Sequence, residues 1–394
     1  MPSSLLTKAV EAVSRDRVVE IARALCRVPQ PDGREGPRAE VAASFLEHPR
    51  IDLVVDPVLP GRPNVIARVP GRGTGPSLLL NGHLDASYAP SWSRDPHDPW
   101  VDGTRLYGQG LSDMLGGVAS MIAAVEVAAR LDPLPGDLVL LASMYHDSNG
   151  LGTKYALASG GEWPAYGING EPTSLTLMTT HGGCIKFELS FAGRLAHVSR
   201  QEHGADALAA AVEVYRALRD LRFAHESHPA LPGLPKLQIG VLQAGVAPAS
   251  VPDTAVLRAD LRTVPGMTWS TVREDLQRLL DRACPPAIRA RIGCLVRQRP
   301  FIGPSGGRLV EALALAHRLV RKEALRVNVD RGAQAFVTDA VDMQAAGIES
   351  VVYGPAEWHH APDAFVDIDE LADATRVYLA AAIHFMESAA RPTT

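Results

Sequence analysis

An α/β protein with a smaller α+β domain inserted into it is what this sequence predicts, on three observations. Apolar strands alternate with a long apolar helix through residues 1–178, half-apolar strands take over in 179–294, and the first pattern returns in 295–394. The N-terminal MPSSLLTKAVEAVSRDRVVEIARAL has the spacing of an amphipathic helix. NVIARVP and SLLLNGHLD read as strands, GGVASMIAAVEVAARL as a long apolar helix and DLVLLASMY as the next strand, an α/β sheet with crossover helices. GCIKFELSFAGRLAHVS reads as a hairpin, GADALAAAVEVYRALRDL as a helix, KLQIGVLQAG and DTAVLRADLRTVP as two more strands, and STVREDLQRLLDRA as a second helix. Their alternation of apolar and polar residues implies a sheet with one face in solvent. GGRLVEALALAHRLV, ESVVYGP and DELADATRVYLAAAIHFMES then supply a helix, a strand and a closing helix that complete the first domain. No internal repeat is found, and Pro/Gly-rich pieces such as PGRGTGP read as turns.

A chain of 394 residues can bury a sizeable core in two domains. Its net charge of −5, with no Lys/Arg cluster, argues against a nucleic-acid footprint. Cys26, Cys184, Cys284 and Cys294 lack any C-x-x-C spacing and read as reduced thiols, neither a zinc knuckle nor a disulfide frame. No basic segment leads into an apolar signal core, and no stretch approaches eighteen consecutive apolar residues. A soluble cytoplasmic protein with no membrane partner is the expectation.

The stretch MYHDSNGLGT (144–153) follows a buried strand, where α/β sheets gather ligands. Asp, Ser and Asn there also suit a helix N-cap. In SLLLNGHLDAS, His83 and Asp85 leave one face of a strand, and an imidazole held by a carboxylate is the usual support of a metal ligand. A satisfied core histidine is the competing reading. LYGQGLSDMLGGV sets Asp113 in a glycine-rich turn, alone a capping acid, and GINGEPT offers Glu171, alone a solvated loop acid. GPAEWHHAPDAFVDIDEL offers His359 and His360, which point apart on extended chain, so at most one enters a given site. Together His83, Asp113, Asp147, Glu171 and His360 are the mixed donors that a pair of zinc-like ions sharing one carboxylate needs.

These motifs occur in the order found in the zinc aminoacylase/carboxypeptidase family, which includes acetylornithine deacetylase, succinyl-diaminopimelate desuccinylase and glutamate carboxypeptidase, and the chain resembles that family over nearly its whole length. NGHLDAS is similar to its Gly-His-x-Asp, LYGQGLSDMLGG to its Gly-x-x-Asp-Met-Lys-Gly-Gly, and NGEPT to its Glu-Pro-Thr turn. AGRLAHVSR, VPDTAVLRADLRTVPG and HHAPDAFV are similar to its later motifs. The resemblance implies a zinc-exopeptidase-like catalytic domain with a ferredoxin-like insert that serves as lid and dimerisation domain. It further implies one or two divalent ions, Zn with Co or Mn as alternatives. Asp113 would bridge them, His83 and Glu171 completing one site and Asp147 and His360 the other. Asp85 would orient His83, and His197 would stabilise the oxyanion, in dimeric relatives from the partner subunit. Arg262 would sit near a substrate carboxylate, with Ser250 and His359 also on the substrate side. A hairpin histidine and a strand salt bridge remain the competing readings of His197 and Arg262.

The family expects Asp-Glu-Glu where this chain has Tyr145-His146-Asp147. In that register His146 replaces the glutamate that takes a proton from the attacking water, and Asp147 is the shortened ligand. A one-residue slip would instead make Asp147 the base. Beside two dications an imidazole is a poorer proton acceptor than a carboxylate, though it could donate a hydrogen bond or bind metal itself. Leu115, Ser250 and Ala364 depart from the family's Lys, Asn and Glu. The sequence therefore predicts a metal-dependent amidohydrolase or deacylase acting on a small amino-acid-like substrate. The alternatives are acyl transfer, amide formation or cyclisation at the same site, and a non-catalytic binding protein.

Overall fold

The structure is a computed structural model of the chain that describes residues 3–30, 34–86, 91–146, 149–328, 333–358 and 362–388. Two compact units divide it. One comprises Met1–Thr179, Ile302–Ala333 and Thr338–Thr394, the other Thr180–Phe301 and Gln334–Val337.

Among the described residues, six strands form the main sheet of the first unit, in the order Asp52–Leu59, Arg62–Val69, Leu138–Ser143, Leu78–His83, Tyr166–Asn169, Glu349–Val352. The first two joins are antiparallel and the rest parallel. Leu78–His83 and Leu138–Ser143 are buried along their whole length, as a strand covered on both faces must be, which explains their unbroken apolar runs. The register sets His83 opposite Ser143 and Asn81 opposite Asn169, so the carboxyl ends of these three strands deliver His83, His146 and Glu171 to one edge of the sheet. Buried amides tie that edge laterally: Asn169 Nδ2 donates to Asn81 Oδ1 at 2.8 Å, and Asn81 Nδ2 donates to Thr153 Oγ1 at 3.2 Å.

Two local departures from expectation have simple causes. The N-terminal amphipathic run is two helices, Ser4–Glu11 and Arg15–Cys26, because the Ser14 hydroxyl accepts the Arg17 N–H and starts a new helix. The run Leu111–Arg130 is long and apolar enough by composition to cross a membrane, but 94% of its apolar window is buried inside the protein, as in a core helix.

In the second unit the strands Lys236–Ala244, Thr254–Thr263, Gly183–Ala192 and Arg289–Gln298 lie in that order, all antiparallel. Helices Ala207–Arg219 and Trp269–Ala283 share a core with the sheet that includes Phe187, Leu189, Val214, Leu257, Leu261 and Leu276. The expected hairpin at 183–199 is a single strand. After Ala192 the Gly193 N–H donates to Asp253 O and draws the chain away, and Ala196–His197 pair instead with Ser250–Val251. The place beside Gly183–Ala192 is taken by Arg289–Gln298, giving the β-α-β-β-α-β order of a ferredoxin-like unit.

Candidate metal centre

Three buried side chains converge at the strand-end edge of the first unit: His83, His146 and Glu171, whose donor atoms all lie within 4.8 Å of one another. His83 Nε2 is 3.5 Å from Glu171 Oε1 and 3.2 Å from Asp113 Oδ1, and His146 Nε2 is 3.8 Å from Glu171 Oε1. The two imidazole rings stack, with centroids 4.5 Å apart and planes 5° from parallel. Neither His83 Nε2 nor Glu171 Oε1 finds a hydrogen-bond partner among the described residues, although both are buried. Leaving such atoms unpartnered costs about 1–3 kcal/mol each, more where charged. A divalent cation is the partner that satisfies an imidazole lone pair and a carboxylate together, so the residues fit a metal ion.

The turn after Leu138–Ser143 aims His146 inward. Tyr145 holds φ at +56°, a conformation that a bulky residue keeps only when its surroundings impose it. The constraints are visible. The Arg62 guanidinium lies 3.9 Å over the Tyr145 ring, Arg62 pairs with buried Glu35 at 3.1 Å, and Glu35 accepts a backbone hydrogen bond from Tyr145. One residue on, the His146 N–H donates to Asp85 Oδ1 at 3.0 Å. Asp85 also serves His83, whose Nδ1 lies 2.9 Å from the Asp85 carbonyl oxygen and 3.4 Å from its carboxylate. One acid thus ties the two histidine-bearing segments together.

Asp339 precedes the short helix Ala340–Ala345 but makes no capping hydrogen bond. Its carboxylate turns to the site: Oδ1 is 2.6 Å from His146 Nδ1, and Oδ2 accepts from Thr153 Oγ1 at 2.6 Å and Ser143 Oγ at 3.1 Å. Burial alone would push both imidazoles down, but Asp85 and Glu171 hold His83 well above its ordinary range and Asp339 lifts His146 to about 10. Burial raises Glu171 to about 8. Burial also disfavours the Asp339 carboxylate, and the His146 imidazole more than offsets this, leaving it below the usual range. This is a cradle that attracts positive charge, and a bound dication would displace the protons it holds.

The family described as Peptidase family M20/M25/M40 matches residues 79–384, which include every residue of this cluster. The chain belongs to this family. M20 enzymes are metallohydrolases of amide and peptide bonds. Acetylornithine deacetylase of Photorhabdus laumondii is 28% identical over 359 residues, covering 87% of this chain and 89% of that protein. N-formyl-4-amino-5-aminomethyl-2-methylpyrimidine deformylase of Bacillus subtilis is 25% identical, covering 95% of each. In fold the chain is similar to human carnosine dipeptidase 1, with a TM-score of 0.79 at 15% identity over 98% of this chain and 99% of that one. It is similar too to a Bacillus subtilis protein described as a dinuclear metal binding peptidase of the M20 family, with a TM-score of 0.66 at 19% identity over 95% and 98%.

In this M20 chain the structure brings together His83, Asp85, Asp113, His146 and Glu171 from the residues singled out by sequence. Asp113 Oδ2 also accepts from Trp358 Nε1 at 3.2 Å. Asp147, His359 and His360 lie outside the described residues. The remaining three are in the second unit. His197 is exposed, with Nδ1 2.8 Å from Ser199 Oγ, and it pairs across strands with Ser250. Arg262 makes a two-pronged pair with Asp260 at 2.9 and 3.1 Å and donates to Ala335 O at 3.1 Å. Sequence reasoning missed Asp339, Glu35 and Arg62. The signal for Asp339 was a Thr-Asp pair before an apolar helix, which reads as an ordinary cap; only its partners reveal otherwise.

Proposed function

We propose that this M20 protein is a metal-dependent amidohydrolase or deacylase acting on an amide or acyl group of a small amino-acid-like substrate. The observation that carries the proposal is the buried triad of His83, His146 and Glu171, with two donor atoms left for a cation. Zn, Co or Mn would polarise the carbonyl that is attacked. His83, Asp113 and Glu171 hold the better filled site, and Asp147 and His360 are the family's positions for a second ion. Asp85 orients His83. Arg262, Ser250 and His359 lie on the substrate side, and His197 stabilises the oxyanion across a homodimer built through the inserted unit. The cytoplasm is the compartment that suits such an enzyme.

One observation favours a second reading. Position 146 carries no carboxylate to take a proton from water, so acyl transfer, amide formation or cyclisation would suffer less than hydrolysis. The test is turnover of N-acetyl and N-formyl amino acids by chain stripped of metal and then given Zn, Co or Mn. Metal-dependent release of free amine supports hydrolysis, and a metal-dependent condensed product supports the second reading. No metal-dependent turnover, with ligand binding alone, would leave a binding protein.

A further inference from the structure

We infer that Trp358 is a positioning residue for the metal site: its indole N–H holds one oxygen of the Asp113 carboxylate and so turns the other toward His83. The inference rests on the metal-dependent reading above and adds to it a side chain that acts on the ion through Asp113.

Trp358 Nε1 donates to Asp113 Oδ2 at 3.2 Å, and an indole N–H can only donate, so that oxygen is fixed as the acceptor. Asp113 Oδ1 then lies 3.2 Å from His83 Nε2, which is itself 3.5 Å from Glu171 Oε1. Two ligands each about 2.0–2.2 Å from a tetrahedral ion stand about 3.3–3.6 Å apart, close to both spacings. His83 Nδ1 meets the Asp85 carbonyl oxygen at 2.9 Å, and a carbonyl only accepts, so in the neutral ring the Nε2 lone pair is left for that ion. The segment that carries Trp358 is anchored on the turn after Glu171. The Gly354 N–H donates to Thr173 Oγ1 at 3.0 Å, the Leu175 N–H to Gly354 O at 2.9 Å and the Ser174 N–H to Ala356 O at 2.7 Å. From the other side the Ala356 N–H donates to Glu370 Oε2 at 2.9 Å. Ala356 holds φ at +67°, a conformation uncommon outside glycine that these bonds on both sides maintain. The anchored segment and its indole thus join the Asp113 turn to the Glu171 turn, two parts of the site far apart in sequence. A ligating carboxylate is itself hydrogen-bonded at such sites, because one that is free to rotate must lose that freedom when the ion binds.

The test titrates metal-stripped protein with Co²⁺ alone and reads affinity by competition with a chelator. Trp358→Phe keeps an aromatic ring and loses the donor, and is expected to weaken Co²⁺ binding by about 10–100-fold. Trp358→Gln returns an N–H donor at similar reach and is expected to recover most of that loss. In an Asp113→Ala background Trp358→Phe should cost little more, because the indole acts through that carboxylate. Trp358 is 37% exposed, so these variants are expected to fold; metal-free melting checks this, and Trp358→Leu replaces a Phe variant that does not fold. A Trp358→Phe affinity within a few-fold of wild type, a Gln variant as weak as the Phe variant, or an equal loss with and without Asp113 would each overturn the inference while leaving a metal-dependent enzyme. A wild-type chain that binds no Co²⁺ would overturn the functional reading as well.

Discussion

In the register proposed above, an imidazole at position 146 takes the place of the family's carboxylate, and the charge balance of the site changes with it. With Asp113, Asp147 and Glu171 as the proposed ligands, three negative charges would face two dications, one fewer than neutrality requires. His146→Glu would supply the fourth charge and a base. Release of free amine from N-acyl amino acids should therefore appear or rise in that variant, measured with metal restored. His146→Ala should lose any native turnover by about 10²–10⁴-fold. If both variants stay within a few-fold of wild type in steady-state assays, His146 is a bystander and Asp147 becomes the better base. A second residue-scale prediction concerns Asp342. Burial, reinforced by the Asp339 carboxylate and opposed by Lys154, lifts its carboxyl to about 7, and its Oδ2 has no hydrogen-bond partner among the described residues. The fold favours the protonated form, so this stabilisation is complete below about pH 4, the ordinary carboxylate value, and is lost as pH rises through 7. Asp342→Asn imitates the protonated form. Urea denaturation should find it close to wild type near pH 4 and more stable than wild type above pH 7.

At the scale of elements, short loops at strand ends do the positioning, and buried charges brace them. Arg38 is buried in the helix Gly36–Phe45 and donates to the carbonyls of Leu25, Val28 and Leu84 at 3.1, 2.7 and 2.6 Å, and to Gln30 Oε1 at 2.5 Å. Gln30 Oε1 in turn accepts the Ala86 N–H, so the pair clasps the Leu84–Ala86 backbone beside His83. Arg38→Met would leave these acceptors buried without donors. Its expected cost is about 2–4 kcal/mol, read by chemical denaturation, with weaker metal binding because the His83 strand end loosens. On the facing loop Gly150 adopts φ +65°, and a Cβ there would come within 2.2 Å of Asp342 Oδ2, so this turn has no room for a side chain.

For the whole molecule, the inserted unit sets the expectation. Its four-stranded sheet ends in Lys236–Ala244 on one side and Arg289–Gln298 on the other, and an exposed edge must be paired, charged or covered. A homodimer through this unit is expected by light scattering. If His197 acts across the two-fold, mixing His197→Ala chains with chains disabled at Asp113 should restore part of the activity. A fully active monomer would refute both expectations.

Much of this was legible in the sequence, because the signals were local. Unbroken apolar runs mark the strands 78–83 and 138–143, half-apolar alternation marks the second unit, and ordered motifs set His83, Asp113, His146 and Glu171 just after strands. The strand Arg289–Gln298 was not legible. Its alternation is weak, and it earns its place by pairing with Gly183–Ala192, roughly a hundred residues earlier, a long-range contact that local pattern does not report. Asp339 was hidden for the same reason. Its own neighbourhood spells a helix cap, and only folding sets its carboxylate 2.6 Å from a ring nitrogen 193 residues away in sequence. Residue types in ordered motifs carry the resemblance to a metallohydrolase family, and the family match over residues 79–384 agrees with it. The direction of the His146 lone pair was decided by tertiary structure, because a hydrogen bond at Nδ1 can select it only once Asp339 has been brought to that ring.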